Sequence, residues 1–201
     1  MIRVLVAEDT GILRDTLVAV LDLQPDLDVV AQVAKGDAIV PEALRHAPDV
    51  AIVDIDLPVV DGLTATVELR REVPGCRVLI LTAFARPGHL RTALAAGATG
   101  FLGKDTPAAE LMEAVRRVAA GEQVVDHGLA VAALRSRDNP LSSREAEVLR
   151  SFAAGGSPPD IARELHLTVG TVRNYLASAM VKLDARNRVD AVRIATDQGW
   201  M

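Results

Sequence analysis

The sequence lacks the features that mark a disulfide-stapled or a membrane-spanning protein. Cys76 is the single cysteine among 201 residues, which excludes an intramolecular disulfide framework and a zinc site built from several cysteines. No apolar run approaches the roughly 18 residues of a membrane span. Arg3, Glu8 and Asp9 come too early for the apolar region of a signal peptide. We therefore expect a soluble, cytoplasmic protein with no membrane association.

Apolar and charged residues are plentiful, and the charges are unevenly distributed. Hydrophobic residues make up 50% of the chain and charged residues 24%, so the chain can bury a core. Residues 1–138 carry 20 acidic and 14 basic side chains, whereas residues 139–201 carry 7 and 8. This asymmetry indicates different partners for the two parts of the chain.

Residues 1–120 alternate short apolar runs with segments of helical spacing. Near-continuous apolar runs joined by helices are typical of a parallel sheet that is covered on both faces. We predict a doubly wound α/β domain with five strands, whose sites lie beyond the carboxyl ends of the strands. The predicted strands are Ile2–Ala7, Leu27–Ala34, Val50–Val53, Val78–Leu81 and Thr99–Leu102.

The remainder of the chain is predicted to be a linker and an all-α domain. Residues 121–140 begin with glycine and end in a charged run before Pro140, which predicts a linker that contains at most one short helix. Residues 141–201 show helical patterns throughout. Ser142 and Glu145 have the spacing of a capping box that opens the first of four helices. The four predicted helices are 143–154, 158–166, 168–183 and 188–197.

Five polar residues follow successive predicted strands, and parallel strands bring such positions together. They are Glu8 and Asp9 after the first strand, Asp54 after the third, Thr82 at the end of the fourth and Lys104 after the fifth. Three close carboxylates repel one another unless a cation lies among them, and oxygen ligands suit Mg²⁺. A lysine and a hydroxyl nearby would stabilise phosphoryl oxygens. The pattern predicts attack of an aspartate carboxylate on phosphorus, which gives an aspartyl phosphate.

The motifs around these residues resemble the receiver domain of two-component response regulators. The resemblance covers Glu8-Asp9, the run from Asp54 to Gly62, Thr82-Ala83 and the run from Gly100 to Lys104. It implies that a sensor histidine kinase phosphorylates Asp54. It also implies roles for the other members: Mg²⁺ held by Glu8, Asp9, Asp54 and the backbone carbonyl of Asp56; phosphate binding and switching by Thr82 and Lys104; and an aromatic switch at Phe101.

Residues 141–193 resemble the LuxR-type helix-turn-helix domain of the NarL/FixJ family of response regulators. The resemblance rests on the runs Leu141–Leu149, Asp160–Leu165, Gly170–Leu176 and Lys182–Ala191. Together the two resemblances imply a transcription regulator that binds double-stranded DNA when it is phosphorylated. They also imply that the chain is not an enzyme beyond its own phosphorylation and dephosphorylation at Asp54.

The helix predicted at 168–183 would enter the major groove with its N-terminal residues. Arginine prefers guanine edges and asparagine prefers adenine edges, although Arg173 could instead contact only phosphate. Lys182, Arg186 and Arg188 are expected to hold phosphates. The full set of predicted DNA contacts is Thr171, Arg173, Asn174, Ser178, Lys182, Arg186 and Arg188.

The last predicted helix carries a short apolar stripe of Val189, Val192 and Ala195. If it packs against a symmetry mate, the protein is a homodimer that binds an inverted repeat with half-sites ~10 bp apart. The stripe could instead pack only within its own domain. We expect dimerisation to follow phosphorylation.

Two other functions remain open from the residues. One is a DNA-binding regulator whose receiver-like half is not phosphorylated. The other is a haloacid-dehalogenase-type phosphatase, since Asp54-Ile55-Asp56 mimics its nucleophile motif. In that family the motif follows the first strand, which is not the order found here.

Overall fold

A computed structural model describes residues 1–83, 85–135 and 139–200. Positions 136–138 of the predicted linker therefore lie outside the described residues. The described chain divides into two compact units: the first comprises 1–85 and 90–131, and the second 86–89 and 132–201.

The first unit is built on a parallel sheet, as the sequence predicts. The strand order is β2-β1-β3-β4-β5-β6, and every neighbouring pair is parallel. The direction of strand succession reverses between β1 and β3, which makes the crevice beyond these two strands the expected site. The strands are β1 (Ile2–Ala7), β2 (Leu27–Val33), β3 (Val50–Val53), β4 (Arg77–Thr82), β5 (Gly100–Gly103) and β6 (Val124–Val125).

The sixth strand corrects the prediction of five. β6 lies in the segment assigned to the linker and pairs with β5 through Gly100 and Val124. A two-residue strand is too short to show an apolar alternation, so the sequence pattern could not reveal it. The short helix expected in the same segment is present as α6 (His127–Arg135).

Helices cover both faces of the sheet. The helices of this unit are α1 (Gly11–Asp22), α2 (Ile39–His46), α3 (Gly62–Glu72), α4 (Pro87–Ala95, of which residues 90–95 fall in this unit) and α5 (Ala108–Ala120). α1 and α5 pack on one face, where Leu21 and Val115 join Val4 and Ile52 in one core cluster. Successive strand residues point to opposite faces. Leu5 is also fully buried, so the second face is covered as well.

Four helices form the second unit's core, as predicted. They are α7 (Ser143–Ala153), α8 (Pro158–Glu164), α9 (Val169–Lys182) and α10 (Arg188–Asp197). Leu149, Ile161, Val172 and Leu176 lie in their shared apolar cluster. The short turn between α8 and α9 gives the helix-turn-helix arrangement.

Side-chain caps fix where these helices begin. The predicted capping box is present at α7: Ser142 Oγ accepts from the Glu145 amide, and Glu145 Oε2 accepts from the Ser142 amide at 2.6 Å. Thr168 Oγ1 accepts from the Thr171 amide and begins α9. Each cap satisfies a backbone group that would otherwise lack a partner.

Candidate functional site

The acidic residues predicted to meet do so at the crevice beyond β1 and β3. One carboxylate oxygen each from Glu8, Asp9 and Asp54 lies within 4.8 Å of the other two. Glu8 and Asp54 are buried, whereas Asp9 is exposed. The adjacent ends of two parallel strands therefore bring together groups 46 positions apart in the chain.

Lys104 lies between two of these carboxylates. Its Nζ is 2.7 Å from Glu8 Oε2 and 2.9 Å from Asp54 Oδ2. Burial works against the charge of Lys104, but hydrogen bonds to Glu8 and Asp54 outweigh this and raise its pKa above the ordinary value. Lys104 is therefore a fixed positive charge in the pocket at neutral pH.

The pocket's donor set suits a divalent cation. Lys104 offsets only one of the three carboxylate charges, so two negative charges stay uncompensated among these four groups. Asp54 Oδ1 is buried and has no hydrogen-bond partner. A buried carboxylate oxygen without a partner destabilises the fold unless a bound ligand or ion interacts with it. Glu8, Asp9 and Asp54 could therefore hold a metal ion.

The remaining predicted pocket residues lie around this cluster. Thr82 is fully buried at the end of β4, and its carbonyl accepts from the Lys104 amide at 2.8 Å. Phe101 is fully buried on β5, and Asp56 lies in the exposed loop after β3. Gly62 packs so closely on this loop that a Cβ would lie 1.9 Å from the Asp54 carbonyl oxygen. A side chain at position 62 would displace Asp54.

Arg14 is a neighbour of the pocket that sequence reasoning missed. Its Nη1 donates to the carbonyl oxygen of Glu8 at 2.8 Å, and the Thr10 amide donates to Glu8 Oε1 at 3.1 Å. These bonds fix the turn that follows β1. An arginine one turn into an ordinary amphipathic helix gives no sequence signal of such a contact.

In the second unit, α9 presents one exposed face along its length. The face consists of Gly170, Arg173, Asn174, Ala177 and Val181, and Lys182 on the flank beside it is also exposed. These positions recur at helical spacing. Arg173 and Asn174 are the predicted base-reading residues, and the small residues on either side allow close approach to a flat surface.

Three other predicted DNA contacts on α9 lie on a flank of the helix and are already hydrogen-bonded. Thr171 Oγ1 is 2.8 Å from Thr168 Oγ1. Ser178 Oγ donates to Glu145 Oε1 at 2.5 Å, and Lys182 Nζ donates to Glu145 Oε2 at 2.6 Å. The structure thus shows Ser178 and Lys182 bound to a carboxylate that sequence reasoning identified only as a cap.

The predicted phosphate-binding arginines near α10 differ in their pairing. Arg186 Nε is 3.2 Å from Asp190 Oδ2, although its side chain remains largely exposed. Hydrogen bonds from Arg186 and Arg193 lower the pKa of Asp190 to about 2. Arg188 is exposed at the first position of α10.

The three residues of the predicted dimer stripe differ in their exposure. Val189 is 71% exposed, but Val192 is half-buried and Ala195 is fully buried in the core of its own unit. Positions three apart drift by about 60° around a helix with 3.6 residues per turn. Ala195 therefore lies about 120° from Val189, and Val189 is the most exposed of the three residues.

Among the described residues, no helix is both long and apolar enough to cross a membrane.

Two family descriptions match the chain. Residues 4–116 match the response regulator receiver domain, and residues 139–195 match the luxR family of bacterial regulatory proteins. Together these regions contain every predicted pocket residue and every predicted DNA contact.

Three relatives align with the chain over almost their whole length. The chain is 41% identical over 201 residues to the uncharacterized transcriptional regulatory protein YvfU of Bacillus subtilis, covering 100% of both chains. It is 40% identical to the transcriptional regulatory protein DesR of the same organism, covering 100% of this chain and 99% of DesR. It is also 40% identical to the response regulator RamR of Streptomyces coelicolor, covering 100% and 98%.

Solved structures show the same fold. The response regulator ChrA of a heme-sensing two-component system matches with a TM-score of 0.59 at 32% identity, covering 100% of this chain and 98% of ChrA. A complex of the response regulator RcsB with DNA matches with a TM-score of 0.66 at 24% identity, covering 98% of each chain, and supports the fold. These matches leave no basis for the phosphatase alternative. The chain belongs to the two-component response regulators that join a receiver domain to a DNA-binding domain of the luxR family, and it regulates transcription.

Proposed function

We propose that Asp54 is the phosphoacceptor of this response regulator and that a sensor histidine kinase is its phosphodonor. The observation that carries the proposal is the state of the two Asp54 oxygens. Oδ2 accepts from Lys104, while Oδ1 is buried without a hydrogen-bond partner. One oxygen is held by the lysine and the other has no protein donor, so metal binding and nucleophilic attack can be divided between the two oxygens.

The transfer step follows from this arrangement. One oxygen of the Asp54 carboxylate attacks the phosphorus of a phosphohistidine, the P–O bond forms as the P–N bond breaks, and the electron pair returns to the imidazole. Lys104 is within 2.9 Å of Asp54 Oδ2 and offsets the added negative charge. Hydrolysis later restores the carboxylate when water attacks the same phosphorus and phosphate leaves.

Mg²⁺ fits the role of the metal in this reaction. It would be held by Glu8, Asp9, Asp54 and the backbone carbonyl of Asp56, and it would supply positive charge that stabilises the phosphoryl oxygens. Glu8 and Asp54 contribute buried oxygens, while exposed Asp9 leaves one side open for the donor.

The test uses the full chain, acetyl phosphate and Mg²⁺, with intact-protein mass spectrometry. We expect one phosphoryl group on the wild type and none on Asp54→Asn. Asp9→Ala should label only at higher Mg²⁺ concentration. Undiminished labelling of Asp54→Asn would overturn the assignment, and the absence of labelling in the wild type would favour the regulator with an unphosphorylated receiver.

The response to phosphate is proposed to run through Thr82, Lys104 and Phe101. A phosphoryl group on Asp54 draws the Thr82 hydroxyl and the Lys104 ammonium toward it and allows the buried Phe101 ring to repack. Such a switch is a population shift between two packings, so phosphate must bind one of them better. We expect dimerisation on phosphorylation, measured by sedimentation. Identical sedimentation with and without acetyl phosphate would exclude this coupling.

For DNA recognition we propose that the exposed face of α9 lies in the major groove. Arg173 and Asn174 project from the N-terminal half of this helix, where recognition helices contact base edges. Exposed Arg188 is assigned to phosphate, and Val189 to a dimer contact that would pair two recognition helices on an inverted repeat.

The test compares Arg173→Ala with the wild type on an operator selected from a random duplex library. We expect a loss of ~1–3 kcal/mol on the operator and relaxed preference at one base pair. Arg188→Ala should instead weaken binding to all duplexes alike and reduce the salt dependence by about one unit. Equal, purely salt-dependent losses for both variants would make Arg173 a phosphate contact.

A further inference from the structure

Glu145 is a buried carboxylate of the second unit to which the proposed DNA contacts assign no role. Its side chain lies in the first turn of α7 and the residue is 4% exposed. Oε2 accepts from the Ser142 amide and from Lys182 Nζ, both at 2.6 Å. Oε1 accepts from Ser178 Oγ at 2.5 Å. Both oxygens are therefore satisfied, and two of the three donors belong to α9.

Glu145 of α7 thus binds two side chains on one flank of α9. Ser178 and Lys182 are four residues apart and lie on the same side of the helix. With about 100° per residue, this side lies about 100° from the middle of the exposed face that carries Arg173 and Asn174. The base of the helix contributes Val172, Leu176 and Ala179 to the apolar cluster of this unit. Apolar packing restrains the rotation of α9 through shape, and the hydrogen bonds on the polar flank add directional contacts that restrain it further.

A small rotation matters for base reading. Side chains reach about 5–6 Å from a helix axis, so a rotation of about 20° moves their ends by about 2 Å. Such a shift exceeds the tolerance of a hydrogen bond between Arg173 or Asn174 and a base edge. Contacts to phosphate by long, mobile side chains tolerate it far better.

The interaction of Glu145 with Ser178 and Lys182 is also electrostatically strong. Burial by itself would raise the pKa of Glu145, but hydrogen bonds from Lys182, Ser178 and Ser142 lower it to about 2. Glu145 is therefore ionised wherever the protein works. Removal of Lys182 would leave the buried charge of Glu145 without its ion-pair partner, which favours the ion-paired arrangement; the Lys182 side chain is itself 39% exposed.

We infer that Glu145 is a positioning residue for DNA readout, which fixes the rotation of α9 through Ser178 and Lys182. On this basis Lys182 acts through Glu145 and does not contact phosphate. The inference rests on the proposed function, in which the exposed face of α9 reads the major groove.

The experiment uses the full chain treated with acetyl phosphate, with an operator selected from a random duplex library and a scrambled duplex of equal composition. Affinities for both duplexes are measured over a series of salt concentrations. The variants are Glu145→Gln, Lys182→Met and the two combined. Lys182→Arg keeps the ion pair as a matched control, and Arg188→Met serves as the reference for a lost phosphate contact.

We expect Glu145→Gln and Lys182→Met each to lower the operator-to-scrambled affinity ratio about tenfold, with the affinity for the scrambled duplex and the salt slope unchanged. In the combined variant the affinity ratio should fall no further than in the worse single variant, because both substitutions remove the same ion pair between Glu145 and Lys182. Lys182→Arg should bind like the wild type. Arg188→Met should weaken both duplexes and reduce the salt slope by about one unit.

Two results would overturn the inference while leaving the proposed function in place. One is a reduced salt slope with equal losses on both duplexes for Lys182→Met, which would make Lys182 a phosphate contact. The other is an unchanged affinity ratio for Glu145→Gln at temperatures where Trp200 fluorescence shows it folded. If no operator emerges from the library with wild-type protein, the proposed function fails and the inference fails with it.

Discussion

At the scale of single residues, Lys104 both stabilises the acidic pocket and competes with a cation for the carboxylate oxygens. Its ammonium lies within 3 Å of Glu8 Oε2 and of Asp54 Oδ2. A divalent cation that uses the same oxygens must share them with this charge or displace it. The lysine therefore keeps the carboxylates from repelling one another before the metal arrives, at the expense of metal affinity.

We predict that Lys104→Met binds Mg²⁺ about tenfold more tightly than the wild type, which corresponds to ~1.4 kcal/mol. The substitution removes a competing positive charge and leaves the three carboxylates in place. Isothermal titration calorimetry with MgCl₂ measures the affinity. Arg71→Met removes one positive charge from the exposed surface of α3 and should leave the affinity unchanged. Equal or weaker binding by Lys104→Met would show that the lysine does not compete with the metal.

Val59 is a second residue whose local state predicts a measurable effect. It lies in the loop between β3 and α3 with φ of 73°, and it is 72% exposed. A β-branched residue is strained in this left-handed region, whereas glycine is not. We predict that Val59→Gly raises the free energy of unfolding by ~1 kcal/mol, because relief of strain exceeds the entropy that glycine adds to the unfolded chain.

Urea denaturation followed by circular dichroism measures this change. The matched control is Val67→Gly on α3, where the valine is 53% exposed and the backbone is helical. Glycine should destabilise there, since it is the poorer helix former. A loss of stability at both positions would mean that the loop around Val59 is not strained.

At the scale of elements, the contact between α7 and α9 makes the second unit sensitive to acid. Glu145 has an ordinary pKa of 4.5, which its hydrogen bonds lower to about 2. A group whose folded pKa is lowered contributes stability above its unfolded pKa and loses it as the pH falls toward the folded value. The window for this loss therefore runs from about pH 4.5 down to about pH 2.

We predict that the thermal midpoint of the second unit, followed by Trp200 fluorescence, falls across this window in the wild type and falls less steeply in Glu145→Gln. Trp200 is the single tryptophan and packs against the core of this unit. The pKa of Asp190 is also lowered to about 2, so its contribution to stability is lost over the same pH range. The variant therefore flattens the profile without removing it. Near pH 7 the variant should be less stable by about 2 kcal/mol, the size of a charged hydrogen bond. Parallel profiles for both proteins would contradict the role of Glu145.

The elements also show where sequence reasoning succeeds and where it stops. β1 and β3 were predictable because a strand buried on both faces is a continuous apolar run, and the acidic residues directly follow these runs. β6 was missed because two residues carry no periodicity. The pairing of Lys182 with Glu145 spans 37 positions, and local spacing contains no information on such a contact. Val189, Val192 and Ala195 span about 120° of the surface of α10, and a sequence interval of three does not reveal that drift.

At the scale of the whole molecule, the two halves carry different chemistry on one chain. The receiver half has an acidic excess and a pocket that gains negative charge on phosphorylation, while the luxR-type half presents arginine and asparagine on an exposed helix. A receiver that controls DNA binding must change the free energy with which the luxR-type half binds DNA when a ligand binds the receiver half. Such coupling is reciprocal, because both ligands act on the same equilibrium.

We predict that operator DNA and a phosphoryl analogue strengthen each other's binding by the same factor. Beryllofluoride with Mg²⁺ occupies an aspartate as phosphate does, but reversibly, so both affinities can be measured at equilibrium. If beryllofluoride tightens operator binding by a factor within the usual range of about 5–150, the operator must tighten beryllofluoride binding by that factor at the same protein concentration. A scrambled duplex should have a smaller effect, and Asp54→Asn should abolish the effect. Strong binding of both ligands with no mutual effect would mean that the pocket at Asp54 does not control the DNA-binding half.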